Sequence, residues 1–310
     1  MKKKTSSLSI VIPVYNEIEN LPSLLQRIKI SQTKWPKNSE LIFVNDGSSD
    51  SSLDYLKRHK GKLHNAKVLD LTKNFEHQAA LLAGLTASNG EVIGCLDADL
   101  QDPPELIEKM LKQMHQDKAD VIYGVRKNRK EGAIKTLIYW LAYRVLNKVL
   151  RIQIPLDSGD FCLMKKNVKR IIITHHDQNL FLRGLRAWVG FKQVPFIYSR
   201  DSRFKGKSKY SFSKLLELGF NGIVGFTNLP ILFLGVIGVI GLTASLCYII
   251  FLVIALLLNY PSPPGFVSLM VALLLFSSIQ LLAIWVIGFY VCKNYEETRK
   301  RPTYLVKTIY

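Results

Sequence analysis

From Leu218 to Cys292 the sequence contains no Asp, Glu, Lys or Arg, so every formal charge of this 310-residue chain lies in an N-terminal part or a short tail. That absence divides the chain more sharply than its length, which allows one large domain or two. Cysteine is also scarce. Cys95, Cys162, Cys247 and Cys292 neither cluster nor show C-x-x-C spacing. They support neither a disulfide framework nor a zinc site, as expected of a catalytic part in reducing cytosol. No internal repeat and no low-complexity linker interrupts the chain. The start, Met1-Lys2-Lys3-Lys4, is basic, but the apolar run behind it is short and ends in Pro13-Val14-Tyr15-Asn16-Glu17, so no secretory signal is expected.

What charge there is has one dominant sign: 42 Lys and Arg against 24 Asp and Glu give a net +18. Such an excess points to anionic partners, whether lipid headgroups, phosphates or nucleic acid. The basic residues thicken toward the apolar segment, with Arg200, Arg203, Lys205, Lys207, Lys209 and Lys214 before it and Lys293, Arg299, Lys300, Arg301 and Lys307 after it. That placement favours an anionic membrane surface, with no nucleic acid. Leu229–Leu258 and Phe266–Cys292 each exceed the roughly 20 residues that cross a hydrocarbon core, so two transmembrane helices are expected. Their connection, Asn259 to Gly265, is short and uncharged while both outer flanks are basic, which puts both chain ends in the cytoplasm of a plasma-membrane, multi-pass protein. Gly235, Gly238 and Gly241 share a face that would let another helix approach, either the second span or another subunit of a homo-oligomer.

Before the apolar region, apolar strand-length runs alternate with helical patterns. Strands are expected at 8–14, 41–44, 67–71, 91–96 and 120–124, and helices at 17–30, 51–58, 76–87 and 105–115. This is the pattern of parallel βαβ units and hence of an α/β domain with a mostly parallel sheet. The expected organisation is a cytosolic domain over 1–210, a juxtamembrane amphipathic helix over 211–228, two spans over 229–292 and a basic cytoplasmic tail over 293–310. Within the first, residues 134–151 put Ile134, Ile138, Leu141, Val145 and Val149 on one helical face and Arg144, Lys148 and Arg151 on another. They suit a helix in the membrane interface or one packed on the sheet.

Chemistry concentrates at Asp97-Ala98-Asp99-Leu100-Gln101-Asp102-Pro103-Pro104-Glu105, where an apolar strand stops at two carboxylates and a helix begins. Two hard oxygen ligands with Gln101 nearby, at the strand end where open α/β sheets bind ligands, suit Mg²⁺ or Mn²⁺ holding a diphosphate. Tyr15 and Asp46 sit at the ends of other predicted strands on the same edge. A lone Asp-x-Asp is also an ordinary turn, and Asp46-Gly47 an ordinary turn signal.

These stretches, with Val44-Asn45-Asp46-Gly47-Ser48-Ser49-Asp50 and Val11-Ile12-Pro13-Val14-Tyr15-Asn16-Glu17, resemble the family-2 glycosyltransferases of GT-A fold. The resemblance runs to the branch that loads a sugar onto a polyprenyl phosphate, the bactoprenol glucosyltransferases and dolichyl-phosphate mannose synthases. It implies a Rossmann-like GT-A catalytic domain followed by two C-terminal transmembrane helices, and inverting transfer at the cytoplasmic membrane face. UDP-glucose is the preferred donor and undecaprenyl or a similar polyprenyl phosphate the acceptor, with GDP-mannose, UDP-N-acetylhexosamine and UDP-aminoarabinose open as donors. By the resemblance Tyr15 stacks on the base, Asp46 accepts from it, Pro13 and Glu17 line the ribose, and Asp97, Ala98 and Asp99 hold the donor. Asp99 and Gln101, with Asp97 in reach, hold the metal. In Asn74-Phe75-Glu76-His77-Gln78, Glu76 stands where the family has Gly, and His77 is given only the site's neighbourhood. In Leu156-Asp157-Ser158-Gly159-Asp160-Phe161-Cys162, Asp157 is the choice as acceptor-side acid over Asp160, and Cys162 stands where Arg is usual. Arg126, Arg203, Ser208 and Lys209 match phosphate-side and acceptor-side positions. A scaffold or lipid translocator with a decayed enzyme domain is the rival from another class.

Overall fold

The computed structural model describes residues 7–127, 158–174, 180–199, 265–299 and 301–310, with single positions between 236 and 258. Two compact units separate: Met1–Leu215 together with Pro302–Tyr310, and Leu216–Arg301. The strands of the first are β1 (Leu8–Val14), β2 (Ser39–Asn45), β3 (Ala66–Leu71), β4 (Val92–Cys95), β5 (Val121–Lys127), β6 (Ser158–Lys165), β7 (Gln193–Ser199) and β8 (Val306–Ile309). They form one sheet in the order β7-β5-β6-β4-β1-β2-β3-β8. Its helices are α1 (Leu21–Gln32), α2 (Ser52–His59), α3 (His77–Ala87), α4 (Leu106–Gln116), α5 (Lys166–Thr174) and α6 (Leu182–Trp188).

Strand β1 is buried along its whole length, which is why its sequence is a continuous apolar run rather than an alternation. Leu8, Ile10 and Ile12 pack with Leu21, Leu24 and Ile28 of α1 and Ile107 and Met110 of α4. Val11 faces the other way, onto Ala80, Leu81 and Ala83 of α3. The approach of α3 is close: a Cβ on Gly84 would stand 2.1 Å from Val11 Cγ1.

The expected parallel core is present as β3-β2-β1-β4, all parallel pairs. Beyond it the structure adds what the sequence pattern did not announce. Strand β6 inserts antiparallel between β4 and β5, and β7 pairs parallel with β5.

Within the stretch expected as a basic tail, 293–310, Val306–Ile309 form β8, which pairs antiparallel with β3. The Tyr310 N–H donates to Val68 O at 2.8 Å, the Val68 N–H to Tyr310 O at 3.0 Å and the Thr72 N–H to Leu305 O at 3.0 Å. Lys57 Nζ lies 4.0 Å from the Tyr310 ring centroid. Without β8, β3 would be an open edge with a row of unpaired peptide groups. Val306, Thr308 and Ile309 are β-branched, which suits them to cover it.

In the second unit, α7 (Gly265–Thr298) is one helix of 34 residues, with no Asp, Glu, Lys or Arg before Lys293. Among the described residues no helix is long and apolar enough to cross a membrane.

At the start of α3, Glu76 takes φ +73° and ψ 159°, a region that is essentially glycine's because a Cβ collides there with the backbone. Glu76→Gly should therefore stabilise the protein by about 1 kcal/mol, the relieved strain exceeding the added freedom of the unfolded chain. The check is the thermal midpoint of the full chain in detergent, with Glu76→Ala as control. A midpoint that rises for neither variant, or equally for both, would contradict the strain.

Candidate active site

Because β1, β2 and β4 run parallel in register, with Val11 opposite Cys95 and Val14 opposite Asn45, their C-terminal ends open on one edge. Tyr15, Asp46, Asp97 and Asp99 all follow those ends. The Asp46 N–H donates to Val14 O at 2.9 Å and the Leu96 N–H to Val11 O at 3.0 Å, carrying the ladder into the loops. The Asn16 N–H donates to Ser48 Oγ at 3.0 Å, and Asn16 Oδ1 accepts the Ser49 N–H at 2.8 Å, so two loops are tied across the edge. The Glu17 N–H donates to Ser52 Oγ at 3.0 Å, while Glu17 Oε2 accepts from Asn20 Nδ2 at 2.6 Å. Gly47, at φ +63°, admits no side chain: a Cβ would meet Asn74 N at 2.5 Å. Asp46 Oδ1 accepts the Phe75 N–H at 2.7 Å. Burial raises the Asp46 carboxyl pKa although this bond opposes the shift.

A buried charge cluster lies beside these loops. Asp160 of β6 takes Arg183 Nε on Oδ1 at 2.8 Å and Arg183 Nη2 on Oδ2 at 2.9 Å. Gln78 Nε2 donates to Asp160 Oδ2 at 3.2 Å and Gln78 Oε1 accepts the Leu182 N–H at 3.1 Å. His77 Nε2 stands 3.3 Å from Asp160 Oδ2 and 3.5 Å from Asp97 Oδ1. Burial opposes Asp160's ionisation, but the Arg183 charge and hydrogen bonds, with His77, hold its carboxyl well below the usual range. Burial also opposes the His77 cation, yet the Asp160 hydrogen bond and the Asp97 charge raise its pKa to about 9. Burial lifts Asp97 to about 6 against the pull of His77, with the charges of Asp102, Asp160 and Asp99 adding to the rise. The His77 and Asp97 side chains keep 36% and 22% exposure, so solvent screens part of both effects.

The other expected residues are placed unevenly. Pro13 and Ala98 are buried, Tyr15, Glu17 and Gln101 half-buried, and Asp99 is 8% exposed. Asp99 Oδ1 accepts the Gln101 N–H at 3.1 Å, and Leu100 between them takes φ +62°. Arg126 lies in β5. Asp157, Arg203, Ser208 and Lys209, and the helices expected over 134–151 and 211–228, lie outside the described residues. The structure therefore brings Tyr15, Asp46, Asp97 and Asp99 to one edge. It adds Arg183, which no local pattern marked, and gives His77 a partner on each side. The His77-Gln78 dipeptide was a visible signal for the latter.

Among the described residues no group of three or more His, Cys, Asp or Glu is arranged to hold a metal ion. Asp97, Asp99 and Gln101 supply two hard carboxylates and an amide oxygen. The mutual repulsion that helps raise Asp97 is what a cation would relieve. This donor set fits Mg²⁺ or Mn²⁺ whose shell is completed by substrate phosphates rather than by a protein cage.

Comparison with known proteins agrees with this geometry. The family described as Glycosyl transferase family 2 matches residues 9–172. An uncharacterized glycosyltransferase of Bacillus subtilis (strain 168), YkcC, is 39% identical over 97% of this chain and 94% of its own. A prophage bactoprenol glucosyl transferase homolog of Escherichia coli (strain K12) is 31% identical over 97% and 99%. The bactoprenol glucosyl transferase of Shigella phage SfX is 32% identical over 97% and 99%. Among solved structures, a mannosyltransferase from Pyrobaculum calidifontis in complex with GDP-Man and Mn²⁺ shares the fold at TM-score 0.51 and 14% identity, over 96% of this chain and 89% of its own. The catalytic domain is thus an α/β domain of GT-A fold.

The His77 shift carries a pH signature. A histidine raised from 6.5 to about 9 in the folded protein contributes stability that is complete below about pH 6.5 and lost as pH rises through 9. Wild type should therefore lose its thermal-midpoint advantage over His77→Gln between pH 6.5 and 9.5. Melting both proteins across that range checks it. A gap independent of pH would mean that His77 is not held as a cation.

Proposed function

The chain belongs to glycosyl transferase family 2, and on that premise we propose that it transfers glucose from UDP-glucose to undecaprenyl or a similar polyprenyl phosphate, with inversion. The observation that carries the reading is the convergence of Tyr15, Asp46, Asp97 and Asp99 on one sheet edge, in a chain colinear with proteins named for bactoprenol glucosyl transfer. Undecaprenyl phosphate and the sugar come from those names and the sequence resemblance, not from the edge itself.

In this reading Tyr15 stacks on the base and Asp46 receives its ring N–H, while Pro13 and Glu17 border the ribose. Asp97, Ala98 and Asp99 face the diphosphate, and Asp99 and Gln101, with Asp97 in reach, hold Mg²⁺ or Mn²⁺. When bound, that cation neutralises the charge growing on the departing nucleoside diphosphate. His77, protonated at neutral pH, lies against Asp97 and holds that carboxylate ionised and oriented. Asp157 orients the acceptor, whose phosphate monoester has a second pKa near 6 and is mostly dianionic at neutral pH, so little proton removal is required. Arg126, Arg203, Ser208 and Lys209 receive the phosphates. Asp160 is committed to Arg183, which leaves it the poorer choice as acceptor-side acid.

The acceptor is a lipid, and we place the protein in the plasma membrane with its catalytic domain in the cytoplasm. What supports this is the sequence: residues 218–292 carry no Asp, Glu, Lys or Arg, and basic residues flank them on both sides. The chain leaves the catalytic unit after Leu215 and rejoins it at Pro302. In this reading the basic flanks keep both ends of the intervening segment in the cytoplasm, as an even number of crossings requires. Two spans over 229–292 meet that condition.

The test is to incubate the full-length protein with undecaprenyl phosphate and a panel of labelled nucleotide sugars, with Mg²⁺, with Mn²⁺ and with chelator. Glucose from UDP-glucose should enter the lipid fraction, chelator should stop it, and Asp99→Asn should lower turnover by about 10²-fold or more, as loss of a charge-stabilising group does. Transfer of another sugar in place of glucose would overturn the donor assignment. Normal turnover by Asp99→Asn in chelator would remove the metal.

A further inference from the structure

Cys95 ends β4 and Cys162 lies within β6, and in the antiparallel pairing of these strands the two are direct partners. Directly opposed residues point to the same face. Both thiols are buried and hydrogen-bond each other. Opposed Cα atoms in antiparallel strands stand about 4.5 or 5.5 Å apart, inside the roughly 4.4–6.8 Å that a disulfide spans. Their Cβ atoms are usually about 4.5–5.5 Å apart, wider than the roughly 3.8 Å mean of a disulfide. A bond here would draw the strands together and be correspondingly easy to reduce.

A third group turns this pair into a reactive one. Arg186 is only 3% exposed. Its Nη1 reaches Gly159 O at 3.5 Å, its guanidinium lies 5.3 Å from the Tyr123 ring centroid, and among the described residues its Nε and Nη2 lack hydrogen-bond partners apart from the Cys162 sulfur beside it. It lines, with Cys95, Cys162, Asp160 and Arg183, a narrow crevice of about 20 Å³. A buried cation beside a thiol favours the thiolate. The Cys95 hydrogen bond, against burial and with the Arg186 charge, brings Cys162 down to about 7.

We infer that Cys162 and Cys95 are a peroxide-sensitive dithiol whose oxidation to a disulfide slows the enzyme. The Cys162 thiolate attacks one oxygen of hydrogen peroxide. An S–O bond forms as O–O breaks, and the hydroxide released takes up a proton to become water. The Cys95 sulfur then attacks the sulfenic sulfur, S–S forms as S–O breaks, and the departing hydroxide leaves as water with the Cys95 proton. Two thiols and one peroxide give one disulfide and two waters. The bond closes two residues before Asp97 on β4 and two residues after Asp160 on β6. It therefore shifts the two carboxylates that His77 spans.

The effect on rate rests on the proposed transferase function; disulfide formation does not. Full-length protein carrying Cys247→Ser and Cys292→Ser is treated with hydrogen peroxide, then digested and weighed without reduction. A Cys95–Cys162 linked peptide should appear, lighter by two hydrogens than the separate pair. Glucose transfer should fall by about 10²-fold, the cost of a misplacement near 1 Å, and return with dithiothreitol. Cys162→Ala should keep its basal rate and lose the sensitivity. Thiols that remain alkylatable after denaturation would overturn the dithiol, as would oxidation that stops at Cys162 alone. A disulfide that forms in an enzyme whose rate is unchanged would overturn the control. If no sugar is transferred by the untreated protein, the peptide masses still decide the dithiol, and the functional reading fails separately.

Discussion

The ion pair between Asp160 and Arg183 holds the site together. Asp160 is almost wholly enclosed, and an enclosed carboxylate is tolerable only when a cation and further donors replace the water it has lost. Arg183 from α6 provides the two-pronged contact, Gln78 from α3 a third donor and His77 a fourth contact. Three elements, β6, α6 and α3, are consequently clamped at one point. Asp97, at the end of β4, is tied in through His77. Removing the guanidinium would leave the carboxylate unpaired in the interior, a loss of about 3–5 kcal/mol in comparable buried pairs. Of the group, Arg183 carries the greatest structural weight.

Around that clamp the strand-end loops are held in conformations that side chains rarely choose. Asn16, Glu76 and Leu100 take positive φ, and each lies in a loop at the ligand-binding edge. Such strain persists where the surroundings over-determine the backbone. Here they do, through the Asn16 contacts to Ser48 and Ser49 and through the Phe75 N–H held by Asp46. Glu76 stands out because glycine would relax it, and Asp46 and Asn74 together fix the turn on either side.

The C-terminal strand links the two parts of the chain's logic. A long segment lacking charge interrupts the chain, yet the residues after it return to the catalytic sheet, where β8 closes the β3 edge. Edge closure removes a template for association with other chains. It also makes the sheet's completion depend on residues that follow the whole apolar segment.

How far the sequence could be read follows from the range of the forces involved. The runs read as strands at 8–14 and 67–71 and as a helix at 76–87 appear as Leu8–Val14, Ala66–Leu71 and His77–Ala87, because burial on both faces of a parallel sheet leaves an unmistakable local pattern. The carboxylates at the end of β4 were equally legible, since a hydrophobic run stopped by Asp-x-Asp is a local event. Strand β6 was not, because its polar start, Ser158-Gly159-Asp160, reads as a loop until β4 and β5 pair with it. Strand β8, four exposed residues long, carries no burial pattern at all, and only the open edge of β3 makes it a strand. By itself the sequence determined the parallel core, the apolar segment and the chemistry at the strand end, all encoded in neighbouring residues. Only the tertiary structure decided that Arg183 charges Asp160, that His77 lies between two carboxylates and that Cys95 faces Cys162. Those contacts join residues far apart in the chain, and no local periodicity records them.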